Sequence, residues 1–129
     1  QLINCIYLDM ECGDHMDLIK KILTKKHNGY KAQDIRKCIL NKKKFITFDK
    51  MIERLVESQL QCFYCNCDLT IVYEDCRQKN QWTLDRIDNC CGHNYDNILI
   101  SCLECNLKRR DMDKDKFYFT QNLQIKKVD

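Results

Sequence analysis

Apolar side chains in the first 60 residues recur every three or four positions, which is the spacing of one face of a helix. The pattern predicts a helix over residues 14–27 and a second, basic helix over residues 32–41. Between them, Asn28 and Gly29 form a pair typical of turns and helix ends. Thr47 is expected to cap a third helix that runs to about Gln59.

The pattern changes after Gln61, where shorter segments replace the helical stripes. Residues 82–87 alternate between two faces as a strand does, and residues 97–101 form a second short apolar strand. The polar stretch between the two strands predicts a loop, and residues 106–110 predict a basic helical segment. We therefore expect an α+β fold, with a helical segment over residues 1–58 and a strand–strand–helix unit over residues 59–129 that ends in a C-terminal helix.

Composition narrows the possible classes of protein. Charged residues make up 32% of the chain, the mean hydropathy is −0.56, and no apolar run is long enough to span a bilayer. The net charge of +3 is uneven, because residues 19–50 carry eleven Lys and Arg but only two Asp. Such a stretch attracts phosphate backbones, although a solvated helix face explains a charge run equally well. The candidate phosphate contacts in this stretch are Lys31, Arg36, Lys37, Lys42, Lys43 and Lys44.

The eleven cysteines are the most unusual feature of the composition. An odd number excludes complete pairing within the chain, and the first residues lack the basic start and apolar run of a secretory signal. We therefore expect an intracellular protein, in the cytoplasm or nucleus, whose cysteines stay reduced. Cys62 and Cys65 form one Cys-x-x-Cys pair, and Cys102 and Cys105 form another. Four thiolates suit a structural zinc ion, with Cys67 as a competing ligand.

Polar residues lie between and just after these cysteine pairs, in the order Asp85-Arg86, Gly92-His93, Asn97 and Asn106. This order, framed by the two Cys-x-x-Cys pairs, resembles that of the HNH (His-Me finger, ββα-metal) endonucleases. It is most similar to the Asp-Arg variants from phages, large DNA viruses and some restriction enzymes. The resemblance covers about residues 60–112 and extends weakly to the helix that begins at Thr47.

The resemblance implies a ββα-metal motif that is stabilised by the four-cysteine zinc site. Such a motif cleaves DNA with the help of a divalent metal. Asp85 and Asn106 would hold Mg²⁺ or Mn²⁺, since both offer the oxygen ligands that hard cations prefer. Asn97 matches the middle Asn of the family, which braces the loop between the strands. One such site cuts one strand, so double-strand cutting of duplex DNA would require a homodimer or two visits.

The sequence departs from the family pattern at Arg86, where the family usually has the histidine that acts as general base. Arginine stays protonated and cannot take that role, so Arg86 would instead bind the scissile phosphate. His93 is the best substitute by residue type, because imidazole accepts a proton near neutral pH. A purely structural role for His93 fits the sequence equally well, and His27, Tyr30 and Tyr95 are alternative bases.

Basic residues also follow the second cysteine pair. Arg109 lies about one helical turn from Asn106, where it could clamp the same phosphate. Lys108, Arg109 and Arg110 are the candidate nucleic-acid contacts of this helix. Two other functions are compatible with the sequence. One is a non-catalytic zinc module that binds nucleic acid, and the other is a zinc-knuckle adaptor for proteins. The pair Asp85 and Asn106 favours the nuclease, because an adaptor needs no hard-metal ligands beside its zinc.

Overall fold

The computed structural model describes the backbone of residues 14–73 and 75–128, and the side chains of residues 17–73 and 75–123. The predicted α+β architecture is confirmed: helices come first, followed by a β-hairpin and further helices. Residues 1–13 of the predicted helical segment lie outside the described part. The elements are α1 (Asp14–Arg36), α2 (Phe48–Glu57), β1 (Trp82–Arg86), β2 (Ile98–Cys102), α3 (Leu103–Arg109) and α4 (Lys114–Val128).

Helix α1 is continuous across the position where the sequence predicted a turn. The prediction of a break at Asn28 and Gly29 is therefore wrong, as is the end of the second helix at residue 41. A glycine inside a helix costs only about 1 kcal/mol, and contacts made by later residues of α1 outweigh that cost. The helix ends at Arg36 because Cys38 adopts a left-handed conformation (φ 59°), and the Ile39 N–H turns back to the Asp34 carbonyl at 3.0 Å.

The continuity of α1 makes Gly29 a position where alanine should stabilise the protein. A Cβ atom at Gly29 would have no heavy atom within 4 Å, so the substitution adds no clash. We expect Gly29→Ala to raise the free energy of unfolding by about 0.5–1 kcal/mol, because alanine loses less backbone entropy in a helix. Urea denaturation of both proteins measures the change. A lower free energy of unfolding in the variant would show that α1 is broken at this glycine in solution.

Helix α2 forms as the sequence predicts. The Thr47 hydroxyl accepts a hydrogen bond from the Lys50 N–H at 3.2 Å and caps the first turn. Met51, Ile52 and Leu55 follow at helical spacing and are buried in the core. Among the described residues, no helix is long and apolar enough to cross a membrane.

Strands β1 and β2 form an antiparallel hairpin in which Trp82 pairs with Cys102 and Asp85 pairs with Leu99. Both strands lie within one residue of their predicted bounds. Helix α1 attaches to β1 through two of its side chains. The Leu84 N–H donates to the Tyr30 hydroxyl at 3.0 Å, and the Lys26 ammonium donates to the Trp82 carbonyl. Residues of the N-terminal helical segment therefore pack directly against the hairpin.

Candidate metal centre and cleft

The two Cys-x-x-Cys pairs meet at one point between the hairpin and α3. The Sγ atoms of Cys62, Cys65, Cys102 and Cys105 all lie within 4.8 Å of one another. The separation of the Cys65 and Cys102 Sγ atoms is 3.9 Å, close to the roughly 3.8 Å between ligands of a tetrahedral ion with Zn–S bonds near 2.3 Å. Four soft donors in this arrangement fit a structural zinc ion, and the ion would join the start of the hairpin region to α3.

Backbone amides around the cluster support negative charge on the sulfur atoms. The Tyr64 and Cys65 N–H groups point at the Cys62 Sγ at 3.4 and 3.5 Å, and the Cys105 N–H points at the Cys102 Sγ at 3.4 Å. Cys102 is also the N-cap residue of α3, where the helix dipole favours a thiolate. Cys67, which the sequence left as a competing ligand, is not one of the four clustered thiols.

A cleft of about 970 Å³ opens between α1, β1, the loop after β1 and α3. It is lined by four residues that the sequence grouped as catalytic: Asp85, Arg86, His93 and Asn106. These residues are up to 21 positions apart in the chain, and the hairpin with α3 brings them to one surface. The cleft is therefore the candidate active site.

Asp85 is the most constrained carboxylate of the cleft, with 3% of its surface exposed. Its Oδ1 accepts a hydrogen bond from the Arg109 guanidinium at 2.8 Å, whereas its Oδ2 is buried and has no hydrogen-bond partner among the described residues. Burial raises the pKa of Asp85 to about 6, although the Arg109 charge and the nearby Tyr64 hydroxyl act in the opposite direction. A buried carboxylate oxygen without a partner fits a hard cation or a water molecule.

Asn106 is held in place by the hairpin. Its Nδ2 donates to the Thr83 hydroxyl at 3.1 Å, and that hydroxyl donates to the Ser101 carbonyl at 2.8 Å. Thr83 and Asp85 lie on the same face of β1, since they are two residues apart in a strand. The Asn106 side-chain oxygen has no hydrogen-bond partner in the part of the chain that the structure describes, so it is open to a ligand on the same side of the sheet as Asp85. Both side chains offer the type of oxygen ligand that a hard cation prefers.

His93 lies in the loop between the strands and is 2% exposed. Its Nδ1 is 2.7 Å from Asp34 Oδ1, and its ring packs on Tyr30 with centroids 4.5 Å apart. Burial lowers the pKa of His93, while Asp34 opposes that shift. The neutral imidazole needed for proton acceptance is therefore the favoured form near neutral pH.

The alternative bases are less well placed. The His27 Nε2 bonds to the Ile46 carbonyl at 2.8 Å, away from the cleft. Burial raises the pKa of Tyr30, and its hydroxyl already accepts a backbone N–H. Tyr95 is 47% exposed and does not line the cleft.

Arg86 and Asn97 both act on the loop between the strands. The Arg86 guanidinium donates to the carbonyls of Asn89 and Cys91 at 3.0 and 3.4 Å, while the side chain remains half-buried at the cleft wall. Asn97 is buried and accepts the Asp88 N–H at 2.9 Å, and its Nδ2 donates across the loop to two carbonyls. These bonds brace the loop that carries His93.

Arg109 does not occupy the position that the sequence predicted. It is 2% exposed, and its guanidinium donates to Asp85 and to the carbonyls of Arg86, Ile87 and Met112 at 2.6–2.8 Å. The prediction that Arg109 contacts the phosphate is therefore wrong. Its guanidinium is buried and makes four hydrogen bonds within the protein, so it is not available to bind substrate. Its charge instead balances the buried Asp85.

The other predicted phosphate contacts are exposed. Of these, Lys37 and Arg110 line the cleft, and the Lys108 ammonium is 3.8 Å from Glu104. The remaining members of the set lie on the surface outside the cleft: Lys31, Arg36, Lys42, Lys43 and Lys44. Lys37 just after α1 and Arg110 just after α3 therefore place positive charge at the cleft, where the acidic Asp111 also lies.

The sequence analysis assigned no role to Asp34, which lies within the predicted basic helix over residues 32–41. The residue is fully buried and pairs with His93, 59 positions away. A sequence signal that could have drawn attention to it is its isolation as the one acidic residue over residues 31–37, three of which are basic.

Comparison with protein-family models, with curated proteins and with solved structures gives no match for this chain. The chain is an α+β protein with a four-cysteine cluster that fits zinc and a β-hairpin followed by a helix.

Proposed function

We propose that this protein is a zinc-stabilised, metal-dependent endonuclease that hydrolyses phosphodiester bonds in DNA. The observation that carries the proposal is the convergence of Asp85, Asn106, His93 and Arg86 on one cleft. The first two offer oxygen ligands, the third offers a proton acceptor, and the fourth supplies positive charge. A zinc-binding adaptor has no need for these groups together beside its zinc.

Asp85 and Asn106 would hold Mg²⁺ or Mn²⁺. When bound, the ion supplies electrostatic stabilisation to the reacting phosphate and the leaving oxygen. The buried Asp85 Oδ2 without a partner, and the free Asn106 oxygen, are the ligands that support this assignment. The zinc cluster contributes indirectly, because Cys105 precedes Asn106 on α3 and fixes the turn from which the amide projects.

The remaining residues would bind substrate and move a proton. Arg86, Lys37 and Arg110 place positive charge around the cleft and would contact the phosphate backbone. His93 would accept a proton from the attacking water while the water oxygen forms a bond to phosphorus. The bond from phosphorus to the 3′ oxygen then breaks, and the leaving oxygen takes a proton from solvent. One cleft cuts one strand, so double-strand cutting would require a homodimer.

Asp85→Asn tests the proposal while keeping the size of the side chain. We expect wild-type protein with Mg²⁺ or Mn²⁺ to convert supercoiled plasmid to the nicked form, and the variant to be at least about 100-fold slower, because it lacks the charged ligand. Gel electrophoresis of the plasmid forms over time gives the rate, and linear product would indicate cutting by a dimer. Reactions without added divalent ion should show no nicking.

Two further variants make this result specific. Asp96→Asn makes the same chemical change at an exposed position in the loop between the strands and should retain full activity. Asn106→Ala removes the second ligand without breaking the Asp85–Arg109 pair and should also lose activity. If folded wild-type protein cuts neither double- nor single-stranded DNA with these metals but still binds it, the non-catalytic module is the correct function.

A further inference from the structure

A buried carboxylate–imidazole pair joins α1 to the loop between the strands. Asp34 is fully buried, and it accepts two hydrogen bonds from the same residue of the loop. The His93 backbone N–H donates to Oδ2 at 2.7 Å, and the His93 Nδ1 lies 2.7 Å from Oδ1. One carboxylate therefore fixes both the backbone and the ring of His93.

The surroundings leave the imidazole little freedom to turn. Tyr30, one turn before Asp34 on α1, packs against the ring, and the His93 carbonyl accepts the Ile46 N–H at 2.9 Å. The loop also approaches Asp34 closely at Gly92, where a Cβ atom would lie 2.5 Å from Asp34 Oδ2. Only glycine permits this approach, so a glycine at position 92 is what allows the loop to pass this close to the Asp34 carboxylate.

The chemistry of the pair decides which ring nitrogen carries the proton. An ionised carboxylate only accepts hydrogen bonds, so the His93 Nδ1 must be the donor. In the neutral ring the lone pair then lies on Nε2, which has no hydrogen-bond partner among the described residues. The ring lines the same cleft as Asp85 and Arg86.

We infer that Asp34 is a positioning residue that fixes His93 in the Nδ1–H tautomer, so that Nε2 is the proton acceptor presented to the cleft. The expected effect on kcat rests on the proposed nuclease function. The tautomer of His93 does not depend on catalysis. Asp34 touches no substrate in this arrangement, so its loss should lower kcat and leave KM nearly unchanged. A residue that only stabilised the fold would not select one tautomer.

The first test measures the tautomer directly in the wild-type, zinc-loaded protein. Long-range ¹⁵N–¹H NMR correlation of labelled histidine distinguishes protonated from unprotonated ring nitrogens, and His93→Gln identifies the signal among the three histidines. At pH 8 we expect Nδ1 to carry the proton and Nε2 to be unprotonated. A neutral ring protonated at Nε2 would overturn the inference, whether or not the protein cuts DNA.

The second test uses Asp34→Asn, whose amide can donate to Nδ1 and so move the proton to Nε2. We expect kcat for plasmid nicking to fall by about 10–100-fold with little change in KM. Asp17→Asn makes the same change at an exposed position of α1 and should have no effect. Zinc content and circular dichroism verify that the variants are folded. An unchanged kcat, or a change confined to KM, would contradict the role of Asp34.

The two tests separate this inference from the proposed function. Absence of nicking by folded wild-type protein would contradict the nuclease, while the NMR measurement would still decide the tautomer. If Asp34→Asn does not fold, the wild-type measurement alone supports or overturns the inference.

Discussion

Replacing Cys105 with serine is expected to abolish zinc binding and to unfold the hairpin and α3. The cysteine is buried, and its Sγ belongs to the cluster that joins the segment before β1 to the helix after β2. Structural zinc contributes about 10–16 kcal/mol in small zinc-binding peptides, which is comparable to or larger than the whole stability of a typical domain of about 5–15 kcal/mol. A two-stranded sheet has little stability of its own, so this loss cannot be compensated locally.

Elemental analysis and circular dichroism measure this effect. Wild-type protein should contain about one equivalent of zinc, as one four-coordinate site requires. Cys76→Ser is the matched control, because Cys76 is exposed and lies outside the cluster. That variant should keep both its zinc and its fold. Fully folded wild-type protein containing less than about half an equivalent of zinc would contradict the four-cysteine site.

Replacing Arg109 with methionine is expected to lower the free energy of unfolding by about 3–5 kcal/mol. The substitution keeps the length of the side chain but leaves the buried Asp85 carboxylate without its charged partner. It also leaves the carbonyls of Arg86, Ile87 and Met112 without their donor. Breaking a buried ion pair costs more than the pair itself contributes, because the remaining charge stays desolvated.

Urea denaturation monitored by tryptophan fluorescence is a suitable measurement, since the single tryptophan, Trp82, is fully buried in β1, the strand that carries Asp85. Lys108→Met is the control on the same helix, and it should change stability by less than about 0.5 kcal/mol because its ion pair is exposed. If Arg109→Met keeps its stability but binds DNA more weakly, the sequence-based assignment of Arg109 to phosphate would be correct after all.

Several features of the protein followed from local sequence patterns. Helix α2 and the two strands were predictable because periodic apolar residues and the Thr47 cap act over a few neighbouring positions. The zinc cluster was predictable because each Cys-x-x-Cys pair places two thiols on one turn. The only further assumption was that the two turns lie next to each other in the fold. These patterns indicate elements and ligand types without any knowledge of the tertiary structure.

The tertiary structure decided which polar residues face the cleft and which serve the interior. Gly29 suggested a break in α1, yet the attachment of Tyr30 and Lys26 to β1 favours one continuous helix. Arg109 resembled a phosphate ligand by its spacing, but packing turned it toward Asp85 and the loop carbonyls.

The pairing of Asp34 with His93 shows most clearly what the sequence alone did not determine. The two residues are 59 positions apart, and neither belongs to a periodic pattern that would indicate the contact. Local spacing determines helices, strands and metal-binding turns, because their hydrogen bonds and ligands lie within a few residues. The partner of a buried charge is decided only when distant segments pack together, because removal from water makes an unpaired charge unfavourable.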